Sequence, residues 1–504
     1  MSEIEIKLAL APQDAAALLR ARSLAGARPS RARLVTLYFD TPAFDLAREE
    51  MALRLRRSHG RWIQSLKAGR SGTGGLHARG EWEYPQARPV IDLALFAETP
   101  IAQLDGADGL HERLHEIFRV DVQRTAWLVE PLPGTRLEVA FDRGEVLAGA
   151  RSEAISEVEI EVVSGEAAAA FDLARALLEE VPLRPSATSK AQRGYRLARG
   201  ERMRPSKSGE IQLDPEMTPA TAARRIVATA LDQLQSNEEG LLQSPDPEFV
   251  HQARVALRRM RSTLRMFREP IGIERAQAWH DALGALGQAL GSARDWDVLA
   301  LHSLPPALAA FGDVAEARRL KRRASQRRNR EREAARAAIR SAAYARALLD
   351  IAQWLHVEDT RALAVTSLGD FASGMIRRRH KRLEKDAAHL GSLQPAERHR
   401  LRIDAKRLRY GVDAMASLFP KKRVKRYLHA LVALQDALGN ANDAVNALRL
   451  VPDLAPSEGF APFAKGWFGA LARGDPVLFD VLVESLGKTR RFWKRPKPPD
   501  MVQA

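Results

Sequence analysis

Residues 3–8 read Glu-Ile-Glu-Ile-Lys-Leu, and strict alternation puts Glu3, Glu5 and Lys7 on one face and Ile4, Ile6 and Leu8 on the other. A period of two predicts a strand, here one whose polar face is charged at every position. The pattern returns in Leu53-Arg54-Leu55-Arg56 and in Trp62-Ile63-Gln64-Ser65-Leu66-Lys67, its hairpin partner. Arg79, Glu81 and Glu83 alternate with Gly80, Trp82 and Tyr84. Glu138 and Asp142 bracket another strand, and Glu157-Val158-Glu159-Ile160-Glu161-Val162 repeats the first in acidic form. Beyond Pro219 the period becomes helical. From His251 onward, His251, Arg254, Arg258, Arg261, Arg265 and Arg268 recur three and four apart, while Val255, Met260, Leu264 and Phe267 form a separate apolar face. The change of texture, through Pro205, Ser206, Ser208, Gly209, Pro215 and Pro219, divides the chain. We expect a strand-rich domain over 1–200, a linker over 201–215, an all-helical domain over 216–490 and a loose basic tail over 491–504.

Composition sharpens this. A chain of 504 residues is too long for one ordinary core and fits two or more domains. It contains no Cys, which excludes disulfides, Cys-zinc sites, iron–sulfur clusters and thiol nucleophiles. The net charge of +16 points to an anionic partner. Residues 1–200 hold 27 Lys+Arg against 28 Asp+Glu, leaving 52 against 35 for the remainder, so the whole excess lies in the helical half. No apolar run approaches the roughly eighteen residues of a membrane span. Met1–Leu10 has no uncharged signal-peptide core. A cytoplasmic protein with no membrane partner is expected.

The charged strand faces carry chemistry. Clustered carboxylates repel unless a cation sits among them. Glutamates at period two on two strands suit a hard divalent cation with oxygen ligands, Mg²⁺ or Mn²⁺. Guanidinium forks and ammonium groups are the usual protein ligands of phosphate. Together they suit a polyanionic phosphate, whose transfer asks mainly for positioning, charge neutralisation and an activated water.

Glu3-Ile-Glu5-Ile-Lys7 resembles the ExExK signature of the CYTH domain, the triphosphate tunnel metalloenzymes. The likeness extends through Tyr38-Phe39-Asp40-Thr41-Pro42, Arg54 with Arg56, Ser65-Leu66-Lys67, Glu81-Trp82-Glu83, Arg124-Thr125-Ala126-Trp127, Glu157 to Glu161 and Ser189-Lys190-Ala191-Gln192-Arg193-Gly194-Tyr195. The resemblance implies an eight-stranded antiparallel barrel with a charged lumen and outer helices, acting on inorganic triphosphate, thiamine triphosphate, capped RNA ends or ATP. It implies Glu3, Glu5, Asp142 and the Glu157, Glu159 and Glu161 strand as metal-holding residues, with Glu159 first among those three. Lys7, Arg54, Arg56, Lys67, Arg124, Lys190 and Arg193 would bind phosphate, and Glu5, Lys67 and Glu159 would carry catalysis. Glu81, Glu83, Glu138 and Asp142 would orient the cations or a metal-bound water.

The helical half repeats. His251-Gln-Ala-Arg254-Val255-Ala-Leu-Arg258-Arg259-Met260-Arg261 aligns with His399-Arg-Leu-Arg402-Ile403-Asp-Ala-Lys406-Arg407-Leu408-Arg409 at a shift of 148. The same shift carries Leu290-Gly291 onto Leu438-Gly439 and Asp295 onto Asp443. These paired helices resemble the CHAD domain, which implies two four-helix bundles related by a pseudo-twofold and a basic channel for inorganic polyphosphate. His251, Arg254, Arg258, Arg261, Arg265, His399, Arg402, Lys406 and Arg409 would line it. Arg318 to Arg330, Arg377 to Arg382 and Lys421 to Arg426 read as ordinary helix surface or supporting charge.

His111-Glu112-Arg113-Leu114-His115 matches HExxH, but no third ligand accompanies it, and a surface helix is the better reading. Gly72, Gly74 and Gly75 read as a flexible loop. The leading expectation is a metal-dependent inorganic triphosphatase with a polyphosphate-binding helical half. A polyphosphate-binding scaffold with incidental turnover, a thiamine triphosphatase and a nucleotide cyclase are the alternatives. Nucleic acid has little support, since aromatic residues do not interleave with the basic stripes.

Overall fold

The computed structural model describes all residues except 1, 59, 70–75, 105–108, 358–366, 388–389, 391–392, 394, 490 and 495–504. For 2–3, 58, 76–79, 395–396 and 494 it describes the backbone alone. The side chain of Glu3 and the glycine loop at 72–75 therefore lie outside the described residues. The chain forms two compact units, one of residues 1–205 with 339–358, the other of 206–338 with 359–504.

In the first unit the alternating segments become β1 (Ser2–Leu10), β2 (Ser30–Asp40), β3 (Met51–Ser58), β4 (Arg61–Ala68), β5 (Leu76–Gln86), β6 (His115–Leu132), β7 (Thr135–Ala148), β8 (Arg151–Ser164) and the short β9 (Leu183–Pro185). They run β5-β4-β3-β2-β6-β7-β8-β1, and β1 pairs back onto β5, closing an eight-stranded antiparallel barrel. Closure removes the exposed sheet edges that an open sheet would leave. Many outward side chains are apolar and covered by helices. Ile6, Leu8, Val139, Phe141, Val158 and Ile160 pack with helix Ala167–Glu180, while Leu53, Leu55 and Leu66 pack with Phe96 and Ile101. Each such side chain contributes roughly 1.5–3 kcal/mol on burial, so the wall is fixed from outside and its charged inner face need not hold it together.

The inner face divides along the barrel. Tyr38, Phe118, Val120, Val146, Ile155 and Tyr195 form an apolar floor at one end, with Tyr38 stacked on Phe118 at 4.4 Å. Helix Lys190–Arg199 seats against it. A side chain at Gly194 would bring its Cβ to 2.0 Å from the Phe118 ring, so only glycine permits this approach. Ser189 caps the helix, accepting from the Gln192 N–H, and Gln192 returns a bond to the Ser189 N–H.

Helix Ala342–His356 lies in sequence within the helical half yet packs into the barrel unit. Ala345, Leu349 and Ala352 join the core around helix Ala167–Glu180. Arg175 donates to Asp350 at 3.0 Å and to Gln353 at 2.8 Å.

The second unit is all helical, and the 148-residue shift reappears in its helix ends. Pro247–Met266 maps onto Pro395–Ala414. Pro219–Gln243 corresponds to Leu368–Ala387, and Ile273–Ala282 with Gly284–Val298 corresponds to the unbroken Lys421–Leu450. Val314–Ile339 corresponds to Phe460–Arg473 with Pro476–Gly487. The apolar face of the repeated helix runs through Met260, Leu264 and Phe267 and again through Leu408, Val412 and Met415, all buried. Val255 and Ile403 are only half-buried, on the side toward the basic stripe. The expected loose tail is anchored at its start. Phe492 and Trp493 are buried against Tyr427, with Trp493 also on His380, because two large aromatic rings gain more from the core than the surrounding lysines lose.

Candidate active site

Register decides which side chains meet inside the barrel. Glu5 stands opposite Glu161, Lys7 opposite Glu159, and Glu161 opposite Glu138. Arg54 stands opposite Ser65, and Lys67 opposite Glu81. The charged residues converge on a cavity of about 80 Å³ above the apolar floor, lined by Glu5, Lys7, Arg54, Arg56, Lys67, Arg124, Asp142, Glu159, Glu161 and Lys190.

The cations are held in a frame of carboxylates. Lys7 Nζ lies 2.6 Å from Glu159, 3.6 Å from Glu157 and 3.7 Å from Glu5. Lys190 Nζ, arriving at the N-terminus of its capped helix, lies 2.6 Å from Glu157, 2.7 Å from Asp142 and 2.9 Å from Glu159. Arg124 grips Asp142 with two bonds of 2.7 Å and reaches Glu159 at 2.8 Å. On the facing wall Glu81 receives Arg54 at 2.8 Å and Lys67 at 3.0 Å, and Glu83 receives Arg56 at 3.3 Å. Arg54 Nε also donates to Ser65 Oγ at 2.8 Å. Arg193 stands behind this set, 3.8 Å from Glu157 and 3.9 Å from Glu153.

These contacts govern ionisation. Burial would strip the protons from Lys7 and Lys190, but Glu159, Glu5 and Glu157 around the first, and Asp142, Glu157 and Glu159 around the second, raise both above the usual lysine range. Burial would raise Glu159, but Lys190, Lys7 and Arg124 pull it well below the usual carboxylate range. Arg56 is lowered, by burial and then by neighbouring Arg54. Lys7, Lys190 and Glu159 are therefore held in their charged forms and pre-positioned.

Of the metal-type residues, Asp142, Glu157 and Glu159 are engaged by lysine and arginine. Glu5 and Glu161 face each other across the β1–β8 pair and line the cavity. Among the described residues no three His, Asp or Glu side chains form a ready-made metal cage. The donor set nevertheless fits Mg²⁺, which is commonly held by one or two carboxylates with substrate oxygens and water filling the remaining positions.

The helical unit has its own basic cavity, of about 370 Å³, lined by Arg254, Arg258, Arg261, Arg265, Arg402 and Lys406 from both stripes. Arg379, Arg407, His280 and Tyr410 complete it. Arg379 belongs to the basic run Arg377 to Arg382, expected as helix surface or supporting charge, and a run alone does not show which face turns inward. Arg379 donates to the Arg407 carbonyl at 2.7 Å, and burial next to Arg407 pushes it down to about 10. Lys406 is pushed down to about 6 by burial, then by Arg258, Arg402 and Arg254. The buried Nε atoms of Arg258, Arg261 and Arg402 have no hydrogen-bond partner among the described residues. His251 is half-buried and lowered by burial and by Arg294, and exposed His399 meets Asn442 at 3.0 Å. Neither histidine lines the basic cavity. Arg409 turns to Asp413 at 3.4 Å.

A closed antiparallel barrel with a cation-and-carboxylate lumen, together with a duplicated basic helical unit, defines a class of two-domain protein. The CYTH domain family matches residues 1–195 and the CHAD domain family residues 225–452, and the chain belongs to the proteins that carry a CYTH domain followed by a CHAD domain. It is 35% identical over 200 residues to the inorganic triphosphatase of Haemophilus influenzae, covering 39% of this chain and 55% of that protein, so it spans about half the length of that relative. It is 28% identical over 444 residues to an uncharacterized protein of Mycobacterium tuberculosis, covering 82% of this chain and 80% of that one. The crystal structure of the CHAD domain from the plant Ricinus communis superposes with a TM-score of 0.52 at 31% identity, covering 58% of this chain and 99% of that structure.

Proposed function

We propose that the protein hydrolyses inorganic triphosphate or another short polyphosphate in the barrel, using a divalent cation, Mg²⁺ or Mn²⁺, and that its helical unit binds inorganic polyphosphate. The observation that carries the first part is the lumen itself. Lys7, Arg54, Arg56, Lys67, Arg124 and Lys190 line one small cavity and are oriented by buried carboxylates. A linear triphosphate bears the charge density and spaced oxygens that such an array neutralises. The apolar floor of Tyr38, Phe118 and Tyr195 closes one end, which favours a short chain, or the end of a longer one.

Glu5 and Glu161 would hold the metal, which supplies Lewis acidity and a more acidic bound water. Arg54 and Arg56 bind phosphoryl oxygens from one wall, and Lys7, Arg124 and Lys190 from the other. Lys67, fixed by Glu81, neutralises charge at the reacting phosphoryl group. Glu159 holds Lys7, Lys190 and Arg124 in place. The resemblance to the Haemophilus influenzae triphosphatase supports this reading for the barrel.

The deciding experiment is phosphate release from triphosphate, thiamine triphosphate, ATP and long-chain polyphosphate, each with Mg²⁺ and with EDTA. Metal-dependent turnover fastest on triphosphate is the expected result. For the helical unit, the orphaned guanidinium Nε atoms beside depressed Lys406 support an anion site. Long-chain polyphosphate should bind the full chain without metal, weaken steeply with salt, and lose affinity in Arg258→Glu and Lys406→Glu.

A further inference from the structure

The duplication leaves two cavities in the helical unit, and the repeat offset relates them. The basic cavity takes Arg261, Ser262, Arg265 and His280 from the first repeat and Arg407 from the second. The 148-residue shift converts the first four into Arg409, Tyr410, Asp413 and Leu428, and returns Arg407 to Arg259. All five line a second cavity, of about 960 Å³. These five pairs are equivalent positions of the duplicated fold, while Arg254 with Arg402 and Arg258 with Lys406 pair within the basic cavity itself, and the chemistry of the shared positions has diverged. Where the first repeat sets Arg265 and His280, the second sets Asp413 and Leu428.

The rest of the second cavity is largely apolar. Ile226, Ala230, Ala414, Phe419 and Val424 are buried around it, and Leu428 and Val432 are half-buried. Segment 208–212 lies across one side and is tied at both ends. Ser206 exchanges two hydrogen bonds with Asn237, at 3.0 and 2.9 Å, and the Leu213 N–H donates to Ser417 Oγ at 3.0 Å. Tyr410 is a wall common to both cavities, with the Arg258 guanidinium 4.9 Å from its ring centre.

Arg259 and Arg409 reach this cavity beside Asp413, and exposed Glu210, Lys421, Lys425 and His429 also line it, so Lys and Arg outnumber carboxylates four to two. Further hydrogen bonds of the two guanidiniums go to neutral groups, Arg259 to Gln233 and Arg409 to Gln435, each at 3.3 Å. A largely apolar chamber whose lining carries an excess of positive charge suits an apolar ligand bearing an anionic head. A long polyphosphate suits it less well, because the buried wall of Ile226, Ala230, Phe419 and Val424 offers its oxygens no donors.

We propose that this cavity binds an amphipathic carboxylic acid, its alkyl chain among Ile226, Ala230, Val424 and Val432 and its carboxylate between Arg259 and Arg409. This rests on the cavity alone and is independent of the barrel chemistry. The test is calorimetric titration of the full chain with dodecanoate, dodecanol and dodecylamine. Dodecanoate should bind at a single site. Dodecanol, which cannot form charge-assisted hydrogen bonds, should bind about tenfold more weakly or worse. Leu428→Trp, filling the space from a half-buried position, should abolish binding, and Arg259→Met should reduce dodecanoate to the level of dodecanol. Native thermal melts of both variants would separate lost binding from lost folding. The proposal is overturned if the native chain takes up no dodecanoate, if dodecylamine binds as well, if a folded Leu428→Trp or Arg259→Met variant binds normally, or if long-chain polyphosphate competes dodecanoate away.

Discussion

Arg124 and Asp142 stand directly opposite each other on β6 and β7 and are joined by two parallel hydrogen bonds, Nε to Oδ1 and Nη2 to Oδ2, each 2.7 Å. The same carboxylate takes Lys190 at 2.7 Å, so one buried Asp orients two cations of the lumen from two different elements. The resemblance had placed Asp142 among the metal-holding residues, but both of its oxygens are already given to cations.

Asp142→Asn should therefore damage the frame before the chemistry. Breaking a buried pair by removing one charge costs about 3–5 kcal/mol. The variant should melt at a lower temperature and show a raised KM for triphosphate, read by calorimetry and steady-state kinetics. Burial would raise the Asp142 carboxyl, but Lys190 and Arg124 hold it below the usual range. A depressed folded value stabilises above the unfolded pKa near 4 and is lost as pH falls below it. The native protein should lose stability through that window more steeply than Asp142→Asn.

Glu5→Gln should leave the fold intact and remove most metal-dependent turnover. A carboxamide cannot neutralise a divalent cation, and losing such a charge contact typically costs two to three orders of magnitude in rate, about 3–4 kcal/mol. Near-native kcat with Mg²⁺ would refute the role given to Glu5.

Arg56→Ala should raise KM and lower kcat together, because Arg56 lines the lumen beside Arg54. Arg57→Ala should do little, since Arg57 is exposed on the other face over Trp62. Kinetics of the two variants side by side test the strand register.

The polyphosphate binding proposed for the helical unit should depend on pH through Lys406. Buried among Arg258, Arg402 and Arg254 it is pushed down to about 6, against an ordinary 10.5. In the free protein its proton is lost above about pH 6, and a bound polyanion restores it. Binding should take up a proton, and affinity should fall as pH rises from about 6 toward 10. Folding responds oppositely, because the unfolded lysine holds its proton where the folded one does not, so this group's contribution to stability rises over the same window. Calorimetry in buffers of different ionisation enthalpy should detect the proton, and Lys406→Arg should abolish the uptake.

Leu349→Ala should destabilise the barrel unit, although residue 349 lies far along the chain from the strands. Its side chain is fully buried in the core with helix Ala167–Glu180, and a Leu→Ala cavity costs about 2–5 kcal/mol. A shorter half-life of triphosphatase activity on heating would report it.

The strands were legible because a period of two is local, and their charged faces marked Glu5, Lys7, Arg54, Arg56 and Lys67, whereas Arg124 and Lys190 were implied only by the CYTH resemblance. The duplication was equally legible, down to matching ends for Pro247–Met266 and Pro395–Ala414. What composition and spacing could not show is which carboxylate serves which cation. Glu157, Glu159 and Glu161 share one strand face, yet they have different neighbours, because the partner strands set Lys7 against Glu159 and Glu5 against Glu161. Arg379, on a helix distant in sequence from both stripes, entered the basic cavity only through packing.

The sequence by itself determined a strand-rich half with charged strand faces, a helical half with basic stripes and the repeat between them, since each is written in periodicity or self-similarity of the chain; the closed barrel with inward charge was implied by the resemblance. Tertiary structure alone decided that helix Ala342–His356 completes the barrel's core, that Phe492 and Trp493 anchor the tail, and that repeat-related positions line two cavities of different character. These depend on contacts between residues far apart in the chain, where burial and pairing select among faces that local pattern leaves equivalent.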